Sequence, residues 1–380
     1  MWSRLIKFSV SVILPLVFLY WFFRGIDRGK LADSLENVGA GWWLLILAAG
    51  IQVVHCLLRA ARWRILLGPL KKDVGYYNLI STISIGYMVT MLGPLRLGEV
   101  LRPVLLAGRE NISKGGAIAT ILLERLMDAL TVASLFAIYL IFFLGPEGGM
   151  GREAAAGMSV GWGVLMGSFI VLSFPLLYAV VHFRARVAGL LERVVKEESR
   201  AGKAIHAVFH AVVDGFEVIK GGRALLAAWS YSFLIWLTIA FSIWFSVRAF
   251  GIHIPLQGSL LMLGALTLGI AIPTPGGVGG YDLLGQQALI RFFGVDPSTA
   301  AAAILVMHAF AIGPVIIMGF AFLWKDGLSF SGVTARAKAG ADGTAANCEP
   351  AGVAAKTEPA PAGIGASPAA PARRATGADR

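Results

Sequence analysis

Charge is scarce in this chain. Only 14% of its 380 residues are Asp, Glu, Lys or Arg, while 57% are hydrophobic and the mean hydropathy is +0.73. That balance excludes an ordinary soluble globular domain and points to an integral membrane protein. Cysteine is scarcer still: Cys56 lies in an apolar run and Cys348 near the end, and two such residues provide neither a disulfide framework nor a metal spacing. Acidic residues number 22 against 33 Lys and Arg, a net charge of +11. The basic residues are scattered over loops between apolar runs rather than gathered in one domain, so no nucleic-acid partner is implied and the excess reports orientation in a membrane. No Ser/His/Asp set stands in the apolar body, and His206 and His210, at i and i+4 in a basic segment without an acidic pair, read as a solvated helix face. His55, His253 and His308 stand alone and read as packed or interfacial.

Long apolar runs, by contrast, are plentiful. A bilayer core of about 30 Å takes about 20 residues of helix, and six runs qualify: Leu5 to Phe23, Gly41 to Leu58, Gly116 to Leu144, Met158 to Val181, Leu225 to Phe250 and Thr299 to Trp324. The first follows Arg4 and Lys7 and offers no small-residue cleavage site, which predicts an uncleaved anchor. From Ser331 to Arg380 the chain turns to Ala, Pro and Gly, too poor in apolar residues to build a core, and is expected to be a disordered cytoplasmic tail. The membrane domain is thus read as 1–326.

Loop charge sets the topology. Arg59, Arg62, Arg64, Lys71 and Lys72 are read as an inside loop after the second run, and the basic segment Ala185 to Lys220 as an inside amphipathic helix on an anionic leaflet. The loops Gly145 to Gly157 and Gly251 to Gln257 carry one basic residue and none, and read as outside; the loop with Arg24, Arg28 and Lys30 departs from the rule. These placements force Tyr76 to Gly115 to enter and leave by the inner face, as a re-entrant hairpin with the tip "GPLRLGE". The segment "LLMLGALTLGIAIPTPGGVGGYDLLGQQALIRFF" must do the same from the outer face. The fold class that follows is all-α: a polytopic transmembrane helix bundle, an inverted repeat of three spans plus one re-entrant hairpin per half, with halves of about 1–145 and 158–326. Both termini lie in the cytoplasm. Interrupted apolar segments at corresponding positions of two halves point to a central transport site, because irregular backbone at membrane depth survives only inside protein or against a water-filled cavity. The alternative, eight full spans, leaves Arg96, Arg102, Arg109 and Lys114 outside.

Charges at membrane depth cost about 2.5–3.5 kcal/mol each at a helix centre and mark function by default. Three groups stand out. "PLRLGEVLR" carries Arg96, Glu99 and Arg102 beside Pro94 and Gly98, residues that permit a tight tip; the planar fork of arginine suits phosphate. "ERLMD" places Glu124 and Asp128 on one helix face with Arg125 between them, two acids that repel unless a cation, a proton or an arginine from the hairpin separates them. "PTPGGVGGYD" offers Gly276, Gly277 and Gly279, whose backbone N–H groups can approach a ligand, ahead of a helix expected to start near Gly280 and of Asp282. It lacks the Lys and Ser/Thr of a nucleotide-binding P-loop. Each group also has a structural reading, as lipid-headgroup anchor, internal salt-bridge cluster and steric turn respectively.

These groups, in this order, resemble the lysylphosphatidylglycerol synthase transmembrane family, also described as flippase-like membrane proteins, over about Leu5 to Lys325. "PLRLGEVLR" is similar to its P-x-R-x-G-E-x-x-R, "ERLMD" to its E-R-x-x-D, and "PTPGGVGGYD" to its P-x-P-G-G-x-G followed by an acid, with Asp282 where Glu is usual. The soluble aminoacyl transferase of the two-domain synthases has no counterpart here, so synthesis of lysyl-lipid is not expected. What the resemblance implies is translocation, in a bacterial inner (plasma) membrane, of a phospholipid or polyprenyl-phosphate lipid, without a cofactor and without catalysis. In that reading Arg96 and Arg102 face the phosphate, Glu99, Glu124 and Asp128 position those arginines or exchange protons, and the backbone from Gly276 to Gly280 closes the other side. The runner-up is an accessory subunit that hands a lipid-linked intermediate to a separate transferase; a third reading is an intramembrane enzyme acting on a lipid phosphate.

Overall fold

The computed structural model describes residues 13, 15–36, 38–39, 41–93, 96–143, 222–272 and 274–341. The span expected at 158–181, the amphipathic segment 185–220, the loop 145–157, Pro94, Pro273 and the tail beyond Ala341 lie outside the described residues. Among the described residues the regular structure is helical throughout, with no strand. In chain order the elements are α1 (Arg28–Glu36), α2 (Trp42–Leu67), α3 (Tyr76–Leu92), α4 (Leu97–Glu110), α5 (Lys114–Phe142), α6 (Gly222–Arg248), α7 (Gly258–Ala271), a 3-10 turn (Pro275–Gly277), α8 (Gly280–Phe293), α9 (Pro297–Lys325) and α10 (Phe330–Ala341). Residues 15–23 are helical as well.

Helices α2, α5, α6 and α9 are long and apolar enough to cross a bilayer, and the protein is an integral membrane protein. Their ends follow from local chemistry. Ser113 accepts a hydrogen bond from the Gly116 N–H at 3.2 Å to open α5, and Asp296 accepts from Ser298 and Thr299 at 3.0 and 3.2 Å to open α9, with Pro297 in the first turn, where its missing N–H costs nothing.

The second span does not stop at Leu58. Helix α2 runs on to Leu67 and stops before Gly68, so Arg59 and Arg62, read above as loop charges, are helical and buried, at 4% and 0% exposure. The reason is the apolar face that continues past Leu58 through Ala60, Trp63, Leu66 and Leu67, all fully buried, while acids on a neighbouring helix neutralise the arginines in place. The other difference lies at the far end. Residues 330–341 form α10 rather than tail, because Val333 and Ala337, four apart on one face, bury themselves in a cluster with Leu97, Leu101 and Leu105 of α4.

Two pairs of short helices carry the interrupted segments. At 1.5 Å per residue, α3 spans about 25 Å and α4, α7 and α8 about 21 Å each, less than a hydrocarbon core of about 30 Å. Each pair crosses where two glycines let the backbones touch. A Cβ on Gly98 would strike the Gly86 carbonyl oxygen, and one on Gly269 would sit 2.5 Å from that of Gly280. The two ends of the first pair are clasped together: Glu110, closing α4, accepts from Lys71 Nζ at 2.6 Å, from Asn78 Nδ2 at 2.7 Å and from the Gly75 N–H at 3.2 Å, all around the start of α3. Asp326, just past α9, joins that end by accepting from Tyr77 Oη at 2.6 Å and from Ser81 Oγ and Arg109 Nη2 at 2.5 Å. The second pair is anchored at the opposite end of α5, where Tyr139, Leu140 and Phe143 pack with Leu260, Leu261, Phe292 and Phe293. The two tips meet between these ends: the Arg96 guanidinium donates to the Ile270 carbonyl, and a Cβ on Gly276 would lie 3.2 Å from the Met91 carbonyl oxygen.

Candidate functional site

At the contact of α2, α4 and α5 four guanidiniums surround two carboxylates. Glu124, fully buried, receives Arg125 at 2.7 Å, Arg59 at 3.0 Å, Arg102 at 3.2 Å and Arg62 at 3.4 Å. Asp128, one turn further along α5, receives Arg62 at 2.7 Å, Arg59 at 3.1 Å and Arg125 at 3.3 Å, and accepts from the Trp236 indole N–H at 3.0 Å. The mutual repulsion of the two acids is thus overcome by cations from three helices. Aromatic rings flank the guanidiniums: Arg102 lies 4.8 Å from the Trp63 ring centroid and 5.1 Å from that of Tyr87, and Arg59 lies 5.5 Å from that of Tyr87. Within the cluster two positive charges are left without a carboxylate of their own.

That excess borders a cavity of about 430 Å³. Its lining combines the polar residues His55, Arg59, Tyr87, Arg125 and Asp128, the two tips with Arg96, Glu99, Thr274 and Gly276, and apolar groups such as Val132, Ile239, Leu263 and Met307. Several polar atoms in this wall are buried without a hydrogen-bond partner among the described residues: Tyr87 Oη, Arg125 Nε, Thr274 Oγ1 and His55 Nδ1. The Arg59 Nε–H donates to His55 Nε2 at 2.7 Å, so the ring proton sits on Nδ1 and makes it a donor. Such unmet polar atoms are costly; these four lie behind the cavity surface, on residues that line it.

The sequence candidates divide. Arg96, Glu99, Arg125, Asp128, Gly276 and Gly277 line the cavity. Arg96 takes a left-handed conformation, φ +52°, at the N-terminus of α4, a strained geometry for a side-chain-bearing residue, and stands 3.8 Å from Glu99. Arg102 does not line the cavity. At 1% exposure it is spent on Glu124, which it meets with both terminal nitrogens at 3.2 and 3.3 Å. Glu124 too is enclosed by its arginines. Gly279 and Asp282 pair with each other: α8 does start at Gly280, but Asp282 turns back to accept the Gly279 N–H at 2.8 Å, so this carboxylate already occupies the positive end of the helix. Its other oxygen faces His308.

Sequence reasoning missed Arg59, Arg62, Tyr87, Trp236 and His308. The signal for Arg59 was its spacing: it follows Gln52 and Cys56 and precedes Trp63 on a single helical face, and all four are buried. Among the described residues no cluster of His, Cys, Asp and Glu has the arrangement of a metal site.

Comparison with known proteins bears on the same residues. Residues 4–319 match the family described as "Lysylphosphatidylglycerol synthase TM region". A UPF0104 membrane protein of Methanothermobacter thermautotrophicus is 25% identical over 342 residues, covering 86% of this chain and 97% of that protein. A second UPF0104 membrane protein, from Methanocaldococcus jannaschii, is 20% identical over 322 residues, 80% of this chain and 90% of the relative. The glycosyltransferase AglD of Haloferax volcanii is 25% identical over 340 residues, which are 83% of this chain but only 54% of AglD.

Proposed function

The chain belongs to the lysylphosphatidylglycerol synthase TM-region family, and from that membership we propose that it moves a phosphate-bearing lipid between the leaflets of the cytoplasmic membrane, without altering it chemically and with both termini inside. The observation that carries the reading is the cavity: a wall that includes Arg59 and Arg125, from a cluster of four guanidiniums and two carboxylates, facing apolar sides. A phosphate supplies the negative charge; acyl or prenyl chains suit the apolar flank. Arg59, Arg125 and the strained Arg96 are the groups that meet the anion, Asp128 and Glu99 hold them in position, and Arg102 with Glu124 fixes the hairpin to α5. The two short-helix pairs, clasped at opposite ends and touching at their tips, suit alternating access from either side.

A second reading has its own support. Glycosyltransferase AglD contains a region similar to this chain that makes up 54% of its length, which suits an accessory subunit that presents a lipid-linked intermediate to a transferase. The two readings part on lipid movement. Purified protein is first analysed by mass spectrometry for retained lipids, and then reconstituted with a fluorescent phosphatidylglycerol in phosphatidylcholine vesicles to measure transfer between leaflets. Wild type is expected to retain one phosphate-bearing class and to accelerate transfer; Arg125→Gln is expected to retain about tenfold less. Retention without transfer favours the accessory reading, and an unselective lipid profile that the substitution leaves unchanged refutes the phosphate site.

A further inference from the structure

His308 on α9 stands between two acceptors. Its Nδ1 lies 2.7 Å from Asp282 Oδ1 and its Nε2 lies 3.0 Å from the Gly276 carbonyl oxygen. A neutral imidazole has one N–H, and a carbonyl oxygen can only accept. Both contacts are therefore hydrogen bonds only when the Asp282–His308 pair holds one proton more than a carboxylate and a neutral imidazole carry together, either on the second ring nitrogen or on the Asp282 oxygen. Both side chains are nearly enclosed, at 9% and 3% exposure, and His308 still borders the cavity.

What the extra proton holds is the glycine-rich tip. Gly276, Gly277 and Gly279 all have left-handed backbones, φ +62°, +79° and +86°, a path that few other residues follow. The pair grips that path at both ends: Asp282 accepts the Gly279 N–H at 2.8 Å, and His308 binds the Gly276 carbonyl. Take the proton away and the remaining ring N–H can serve Asp282 or Gly276, leaving the other contact as two lone pairs face to face. With Nδ1–H kept on Asp282, the Gly276 carbonyl is repelled and the tip comes free of α9.

We propose that Asp282 and His308 form a proton-binding site that latches the glycine-rich tip, and that lipid movement through the cavity is coupled to binding and release of this proton. The coupling rests on the translocase reading above; the latch itself does not. The proton enters and leaves at His308 by way of the cavity. Tyr281, its ring centroid 4.3 Å from the imidazole, covers one face of His308. Across the cavity stand His55 and Arg59 on α2, Tyr87 on α3, Arg125 and Asp128 on α5, and the Arg96–Glu99 pair at the other tip. An anionic headgroup held on that side attracts the proton bound at the pair. Proton and cargo therefore favour each other's binding, and by reciprocity each raises the other's affinity by the same factor.

The latch is tested by hydrogen exchange on the full chain in detergent, read over residues 272–281. After correction for the chemical rate, wild type is expected to lose about tenfold in protection at this segment between about pH 6 and pH 8. His308→Phe, which keeps a ring against Tyr281 but has no N–H, is expected to show the unprotected level at both. Flat protection across this range in wild type, or a variant indistinguishable from it, overturns the proposal whatever lipid assays show. The coupling is tested in phosphatidylcholine vesicles holding a fluorescent phosphatidylglycerol and a lumenal pH dye. An imposed proton gradient is expected to speed lipid transfer and carry protons inward with wild type, and to do neither with His308→Phe. Transfer that ignores the gradient in wild type refutes the coupling while leaving the translocase intact. If the tip responds to pH but no lipid moves in either condition, the coupling and the translocase reading fall together.

Discussion

Replacing Glu124 by Gln keeps the shape of the side chain and removes one of the two negative charges that hold four arginines in a dry interior. Five nitrogen–oxygen contacts of 2.7–3.4 Å converge on its carboxylate, which is fully buried. A pair of unit charges about 4 Å apart is worth about 4 kcal/mol at an effective dielectric near 20, and the desolvation of the carboxylate, several kcal/mol, is recovered when it is neutralised. The balance for losing one partner of a buried ionic group is about 3–5 kcal/mol, or about two to four orders of magnitude in the folded-to-unfolded ratio. Gln makes matters worse locally, since its NH₂ group faces guanidinium N–H groups with nothing to accept. The assay is a denaturant titration of the protein in detergent, followed by tryptophan fluorescence. A second substitution sharpens it. Arg62 is fully buried, does not line the cavity, and has Nε and Nη2 without hydrogen-bond partners, so Glu124→Gln with Arg62→Met is expected to recover at least about 1 kcal/mol relative to Glu124→Gln alone. A shift under about 1 kcal/mol for the single variant, or a double variant less stable than the single, would refute the view that charge balance holds these helices together.

Stability is expected to fall at acidic pH through Glu110 and Asp326. Burial alone raises the Glu110 carboxyl, but hydrogen bonds from Lys71, Asn78 and the Gly75 N–H outweigh it and hold the group below its ordinary value; burial likewise raises Asp326, and Ser81, Tyr77 and Arg109 bring it below. Both are lower folded than unfolded, so their contribution is complete above the unfolded value of about 4 and is lost as pH falls through it toward the folded one. Melting temperatures should decline below about pH 5, and Asp326→Asn should flatten part of that decline. At the crossing of α3 and α4, Gly98→Ala drives a methyl group into the Gly86 carbonyl and the Thr90 hydroxyl and should cost about 1–3 kcal/mol or more. Gly108→Ala on the same helix meets nothing within 4 Å and should leave the denaturation midpoint unchanged or slightly higher.

Segment lengths and breakers made the helix pairs legible. Pro and Gly in the middle of apolar runs, each arm too short to span, already located both tips and put Arg96, Gly276 and Gly277 at them. The charge rule that oriented the loops also misplaced Arg59 and Arg62, because it treats an arginine as interfacial by its place in the chain. Whether such a residue is instead buried depends on acids that arrive from another helix, here Glu124 and Asp128, 65 to 69 residues away from Arg59. The same limit applied to Arg102, which on spacing alone could face phosphate as well as Glu124, and to His308, whose meaning depends on two acceptors 26 and 32 residues upstream. The helix at 330–341 escaped notice because composition describes a segment in water, whereas Val333 and Ala337 find an apolar surface on α4.

The Asp326 clasp also fixes an order of assembly. Its partners Tyr77, Ser81 and Arg109 lie 249, 245 and 217 residues upstream, so during synthesis the first hairpin is inserted, together with its charged tip, long before the carboxylate that ties down its base has left the ribosome. Until α9 and Asp326 arrive, the arms rest on Glu110 and on contacts with the elements already made. A chain arrested or cut before Asp326 therefore carries an untethered hairpin, the segment that membrane quality control would be expected to recognise and degrade first.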